Sequence, residues 1–290
     1  ADSMALWGKL IAKKLNIPFV SSTTTFAFNK DSAKVMQGSL KDLVKILIQM
    51  RKAKKHIKRL QENGYDIKNV IEIIQNDNDT NTIVYTSPEF QPYSDTFSDK
   101  YVFVGPSIRP TNNVFEKTRE KLVYISMGTV NNDMTIFYKN CIDAFKDSNY
   151  QVVLSVGSQV DIKQLEEYVI KSESKAQFHV FPYVNQIAVL EKADAFITHC
   201  GMNSVSEALY FKVPLVMYPQ TNEQKGVAFR VNELEAGLYL SGDSISEIQI
   251  ALKELLQQSK YKEQATVISN SFSKCGGSEA AVEKILDICS

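Results

Sequence analysis

At 290 residues the chain has room for two domains of ordinary size, and with 44% hydrophobic and 23% charged residues it is able to bury sizeable cores. Its 33 basic residues balance its 33 acidic ones, so net charge gives no case for nucleic acid or an anionic membrane as the main partner. Cys141, Cys200, Cys275 and Cys289 are too widely spaced for a CxxC pair or a zinc pattern, which favours reduced thiols in a cytoplasmic protein.

The first element is a helix over 3–15, where Leu6, Leu10, Ile11 and Leu15 recur at helical spacing. Asn16 and Pro18 end it, and Ile17 to Ser21 reads as a short strand. A long helix is expected from Ser39 to about Gln61, with Leu43, Ile46, Leu47 and Met50 on one face. Its basic run from Arg51 to Arg59 reads as a solvated face rather than an anion dock. Strands follow at Thr82 to Tyr85 and Tyr101 to Val104, and the polar, Pro110-containing stretch after them reads as an interdomain linker.

Beyond the linker, strand and helix alternate. Strands are expected at Leu122 to Ser126, Gln151 to Ser155, Phe178 to Val180, Ala195 to Thr198, Leu215 to Tyr218 and Leu238 to Leu240. Most are apolar runs with little alternation, as in a parallel sheet covered on both faces. Helical patterns lie between them, for instance Thr135 to Lys146 and Ile162 to Lys171, and two more helices close the chain at Ser244 to Ser259 and Ser278 to Cys289. The expectation is a doubly wound α/β domain from about residue 118 onward. No apolar run approaches the length of a membrane span.

In such sheets ligands sit beyond the carboxyl ends of the strands. Three loops there carry suitable groups. Ser126, Gly128 and Thr129 follow the first strand, with hydroxyls and a close-approach glycine suited to phosphate. His199, Gly201, Asn203 and Ser204 follow the fourth and open a helix whose amino end favours an anion, with Glu207 one turn on. Pro219 to Gln224 follow the fifth, a polar cluster suited to hydroxyls. Each residue taken singly has a structural explanation, a turn glycine or a core histidine; together, in chain order at strand ends, they point to one site.

The stretch from Tyr183 to Gln224, with its core FITHCGMNSVSEALYFKVPLVMYPQTNEQ, closely resembles the donor-binding motif of family 1 UDP-glycosyltransferases. VYTSPEFQP and YVFVGPSI, at 84–92 and 101–108, resemble the bacterial macrolide glycosyltransferase subfamily more narrowly, and GGSEAAVEKI near the carboxyl end also fits. The resemblance implies a GT-B fold of two doubly wound Rossmann-like domains. It divides the chain into an incomplete amino-terminal acceptor domain over 1–108, a linker over 109–118 and a donor domain over 119–290.

The roles it implies can be placed by residue. Tyr183 stands where the family has a Trp stacking on uracil, Asn185 where it has Pro, and Gln186 where it has a Gln at the nucleoside. His199 donates to a phosphate oxygen with the Asn203 and Ser204 region, and Ser126 and Thr129 flank the diphosphate. Glu207 takes the ribose hydroxyls, and Glu223 and Gln224 hold those of the sugar. The resemblance implies inverting, metal-independent transfer of a hexose, glucose from UDP-glucose first, to a small lipophilic acceptor hydroxyl, with the UDP-sugar as co-substrate and no other cofactor. Asp77-Asn78-Asp79 matches a metal-binding DxD only superficially and reads as a polar loop.

The family's base is a His oriented by an Asp. Asp2 matches that Asp, so the His is expected upstream of Ala1, with His56 read as a surface residue and His179 as a strand residue. These residues alone are therefore expected not to transfer sugar efficiently. Two alternatives stand beside transfer: a non-catalytic nucleotide-sugar-binding module and a sugar-nucleotide epimerase of similar fold.

Overall fold

Residues 1–29, 54–65, 67, 78–128 and 134–289 are described by a computed structural model. They fall into two units, one of residues 1–107 with 271–290 and the other of residues 108–270.

In the first unit, helix α1 (Leu6–Leu15) ends on Asn16 in the left-handed conformation at φ 52°, with Lys13 and Lys14 in its last turn, where cations suit the helix dipole. Three short parallel strands follow, β1 (Ser21–Thr23), β2 (Thr82–Val84) and β3 (Tyr101–Phe103), ordered β1-β2-β3. Ser21 lies opposite Thr82, and Thr82 opposite Tyr101. Successive β2 residues serve opposite faces: Val84 packs with Ala27 and Tyr101, and Ile83 with Val104 and Ala281. Asp2 bridges in parallel to Ser22, whose amide donates to the Ala1 carbonyl at 2.8 Å and whose carbonyl takes the Ser3 amide at 2.8 Å. Sheet pairing therefore begins before α1. The expected strand at Ile17 to Ser21 falls later, at β1, because the sheet here takes Ser21 and Thr23 as its buried side chains.

The described part of the expected long helix covers 54–62, and His56 is exposed there; residues 39–53 lie outside the described residues. Asn78 turns the chain at φ 58° and donates through Nδ2 to the Thr96 carbonyl at 3.0 Å. Asp79 is exposed, its carbonyl taken by Lys100 Nζ at 2.9 Å, while Asp77 lies outside the described residues.

The second unit is built on six parallel strands: β4 (Lys121–Ser126), β5 (Tyr150–Ser155), β6 (Gln177–Phe181), β7 (Ala195–Thr198), β8 (Leu215–Met217) and β9 (Gly237–Tyr239). Their order is β6-β5-β4-β7-β8-β9. Between and after them run α2 (Thr135–Phe145), α3 (Ile162–Lys171), α4 (Gln186–Leu190), α5 (Met202–Tyr210), α6 (Asn222–Glu233) and α7 (Ile245–Gln257). Leu122, Val123, Tyr124 and Ile125 are all within 1% of full burial. Consecutive residues buried on both faces explain why the strand sequences do not alternate.

Three sequence expectations are corrected. The stretch 109–118 has no regular structure, as a linker should, but it groups with the second unit. It is tied there by Thr118, whose amide donates to Gln151 Oε1 at 2.7 Å, and by Lys117, which meets Asp194 at 2.6 Å. Three helices, not two, close the chain, because α8 (Ser259–Ser273) stands between α7 and α9 (Gly277–Cys289). Finally, residues 271–290 group with the first unit instead of completing a domain over 119–290. Ser271 bonds Ser87 at 2.7 Å, Phe272 meets Phe90 edge-on at 5.8 Å, and the Gly277 amide donates to the Val104 carbonyl at 2.8 Å. Among the described residues no helix is long and apolar enough to cross a membrane.

Candidate functional site

The order of the large sheet reverses between β4 and β7, which makes their carboxyl ends the place where such sheets take ligands. Ser126 pairs there with Thr198, so the two loops leave the sheet side by side. Gly128 has φ 82°, and a Cβ on it would lie 2.7 Å from both Cε1 and Nε2 of His199. A Cβ on Gly201 would lie 2.8 Å from the same Nε2. The imidazole is thus wedged between two glycine backbones. Cys200 supplies the turn at φ 67°. Behind the first loop, Tyr138 takes the Met127 amide on its hydroxyl at 3.2 Å and donates to the Ser155 carbonyl at 3.2 Å. Thr129 lies outside the described residues.

Helix α5 begins at Gly201, which offers no side-chain cap. The amides of Met202, Asn203 and Ser204 therefore form an open helix end beside His199, where the dipole favours negative charge. Burial holds the His199 pKa below its ordinary value, against the opposing effect of the Ser126 carbonyl. Its Nδ1 is buried without a hydrogen-bond partner among the described residues. A ring neutral near pH 7 with one nitrogen toward the glycines suits a phosphate oxygen.

One turn along α5, Glu207 accepts from Gln186 Nε2, which also donates to Ser204 Oγ at 3.3 Å. Burial raises the Glu207 pKa, while Gln186 and the charge of Arg109 lower it. Gln186 opens α4, whose cap Asn185 accepts the Ala188 amide at 3.2 Å and donates through Nδ2 to Thr111 Oγ1 at 2.8 Å. The Thr111 bond therefore ties this stretch to the loop that carries Tyr183, a residue 58% exposed whose aromatic side chain can stack.

Beyond β8, Thr221 and Gln224 form a capping box at the start of α6. Gln224 Oε1 accepts the Gln220 amide at 2.7 Å and the Thr221 amide at 3.1 Å. Glu223 is exposed in the same turn. Asp2, in the first unit, is exposed, accepts the Met4 amide on Oδ1 at 2.8 Å and bridges to Ser22.

The structure brings Ser126, Gly128, His199 and Gly201 together, and separately Gln186, Ser204 and Glu207. Sequence reasoning missed Tyr124 and Tyr138, which lie behind these groups, and the part played by Arg109 and Thr111. The tyrosines sit inside apolar runs and read as core, whereas the polar linker residues carry no periodic signal.

The burial of His199 and His179, which lowers both pKa values, has a consequence for stability. The unfolded chain takes up these protons near pH 6.5 more readily than the fold does, so stability present above that value is lost as pH falls below it. Glu207 works the other way: its raised pKa lets the fold take a proton more readily than the unfolded chain as pH falls toward its range above 4.5. The unfolding midpoint is expected to fall as pH drops from about 7 to about 5.5, and His199→Gln should flatten part of that slope. A midpoint constant across this range in the wild type would contradict it.

A doubly wound parallel sheet with an open helix end and a half-buried carboxylate at its switch point is the Rossmann-like architecture of GT-B glycosyltransferases. Calicheamicin glycosyltransferase CalG4 is similar over 99% of this chain and 72% of its own, with a TM-score of 0.82 and 26% identity. Residues 109–273 match the model of the UDP-glucoronosyl and UDP-glucosyl transferase family, and the chain belongs to that family. It is 35% identical over 285 residues to the uncharacterized UDP-glucosyltransferase YdhE of Bacillus subtilis, covering 96% of this chain and 70% of that protein. It is also 35% identical over 290 residues to the NDP-glycosyltransferase YjiC of the same organism, covering 98% and 70%.

Proposed function

We propose that the chain binds a UDP-sugar, UDP-glucose first, and serves transfer of the hexose to a hydroxyl of a small lipophilic acceptor such as a macrolide or flavonoid, in the cytoplasm. The observation that carries this reading is His199 held between Gly128 and Gly201 at the open amino end of α5. In the reaction the acceptor hydroxyl gives its proton to the acceptor-side base as its oxygen bonds to the anomeric carbon, and the bond from that carbon to the phosphate oxygen on the opposite face breaks, inverting the centre. Negative charge then grows on the diphosphate, where His199 and the α5 amides lie ready as donors and do the work a metal ion does elsewhere.

Tyr183 stacks on the base and Glu207 takes the ribose hydroxyls. With its Oε1 used in the capping box, Gln224 offers its amide nitrogen to the sugar while Glu223 offers acceptors, so the pair reads hydroxyls in both senses. Asp2 is the proposed orienting carboxylate of the acceptor-side base. Of the other histidines, His56 lies on an exposed helical face and His179 in β6, and neither is assigned that role. Family membership favours transfer over the epimerase alternative.

Calorimetric titration with UDP in EDTA tests the reading. Wild type should bind without metal, and His199→Ala and Glu207→Ala should each weaken binding by about 1–3 kcal/mol, the range for a lost charge-assisted bond. Affinity unchanged in both variants would remove the assigned site. A strict need for magnesium or manganese, abolished by Asp79→Ala, would overturn the metal-free assignment.

A further inference from the structure

Tyr124 lies in β4 directly opposite Phe196 of β7, and the two buried rings stack at 4.7 Å with an interplanar angle of 14°. Its hydroxyl donates to Gln186 Oε1 at 3.2 Å. The Ser126 and Ser155 side chains also reach the phenol oxygen. At its other end the Gln186 amide has two hydrogens, and they go to Glu207 Oε2 and Ser204 Oγ. A carboxamide offers one oxygen and two N–H donors, and all three functions are matched here. Rotation of the amide would set its oxygen against the Glu207 carboxylate and leave the phenol facing an NH₂ group.

We propose that Tyr124 is a positioning residue for the donor nucleoside: by fixing the oxygen of Gln186 it keeps the amide nitrogen on Glu207 and holds that carboxylate where it receives the vicinal hydroxyls of ribose. The proposal rests on the nucleoside reading of Glu207 given above. Tyr124 itself touches no ligand in this scheme; its ring is part of the packed sheet face, and only its hydroxyl takes part in the relay. Phenylalanine in its place keeps the stack on Phe196 and removes this donor to Gln186. The amide is then free to swing, and Glu207 loses its fixed partner. A ligand that bonds Glu207 through its 2′-hydroxyl should feel the change more than one that lacks this group.

The test is titration of Tyr124→Phe with UDP and with 2′-deoxy-UDP. The variant is expected to keep a wild-type circular dichroism spectrum, to bind UDP about fivefold to tenfold more weakly, the effect of one lost hydrogen bond in a buried network, and to show a smaller preference for UDP over the deoxy nucleotide. Gln186→Met, which keeps the side-chain length and removes both ends of the relay, should give the same loss of preference, and adding Tyr124→Phe to it should change nothing more. A purely structural tyrosine would weaken both nucleotides equally, and its effect would add to that of Gln186→Met; either result overturns the proposal, as does an unchanged UDP affinity. Should Tyr124→Phe fail to fold, an unchanged preference in Gln186→Met alone would overturn it. If UDP binds but Glu207→Ala leaves its affinity intact, it is the nucleoside reading that fails, an outcome distinct from failure of the Tyr124 relay.

Discussion

Gly128→Ala is expected to weaken UDP binding by about tenfold to a hundredfold, the cost of a charge-assisted bond that a displaced imidazole no longer makes. Two effects combine. At φ 82° a residue with a side chain is strained, by about 1–2 kcal/mol. The new methyl would also lie 2.7 Å from two atoms of the His199 ring, where contacts between carbon atoms settle at about 3.5–4.0 Å. The ring must therefore shift by about the difference, and it already fills the space a side chain on Gly201 would take. Titration with UDP reads the affinity, and thermal unfolding separates strain in the fold from damage to the site. Near-wild-type affinity would mean that the imidazole is not what meets the phosphate.

The largest loss of stability is expected from Phe196→Ala, about 3–5 kcal/mol for removing a buried aromatic ring. Folded domains are stable by about 5–15 kcal/mol in total, so this is a large fraction of what is available. Phe196 is 0% exposed in β7, a strand paired on both sides, and its ring is the stacking partner of Tyr124. The void would open next to the phenol that reaches Gln186, so UDP binding should weaken along with the fold. Phe196→Leu refills much of the space and should recover most of the stability. Urea denaturation measures the effect, and a loss below about 1 kcal/mol for the alanine variant would show that the cavity collapses without consequence.

The large sheet was legible because its strands are unbroken apolar runs: Ala195–Thr198 and helix Ile162–Lys171 fall where the pattern places them. The first sheet was harder, because Ser21 and Thr23 are buried there and hydroxyl residues imitate a loop. Helix α8 was missed although Tyr261, Ala265, Ile268 and Phe272 are buried at helical spacing, a signal diluted by the polar residues between them. That residues 271–290 return to the first unit is invisible to periodicity, which shows that a face is buried but not against what. The loops of the site were readable because glycine, histidine and carboxylate at strand ends are local signals. The tyrosines behind them were not, since an aromatic inside an apolar strand looks the same whether or not its hydroxyl has work to do.

The mutual bonding of Gln186, Ser204 and Glu207 bears on how quickly the site empties. Gln186 takes only Oε2 of Glu207, so a ribose hydroxyl can be received at the other carboxylate oxygen while the amide stays in place. The bond a hydroxyl makes there replaces one to water, and the net gain per contact stays small. The amide remains on the carboxylate throughout, so the charged group always keeps one fixed partner. A carboxylate already held by one neutral amide needs little rearrangement to take or to release a hydroxyl, which favours rapid exchange over tight capture.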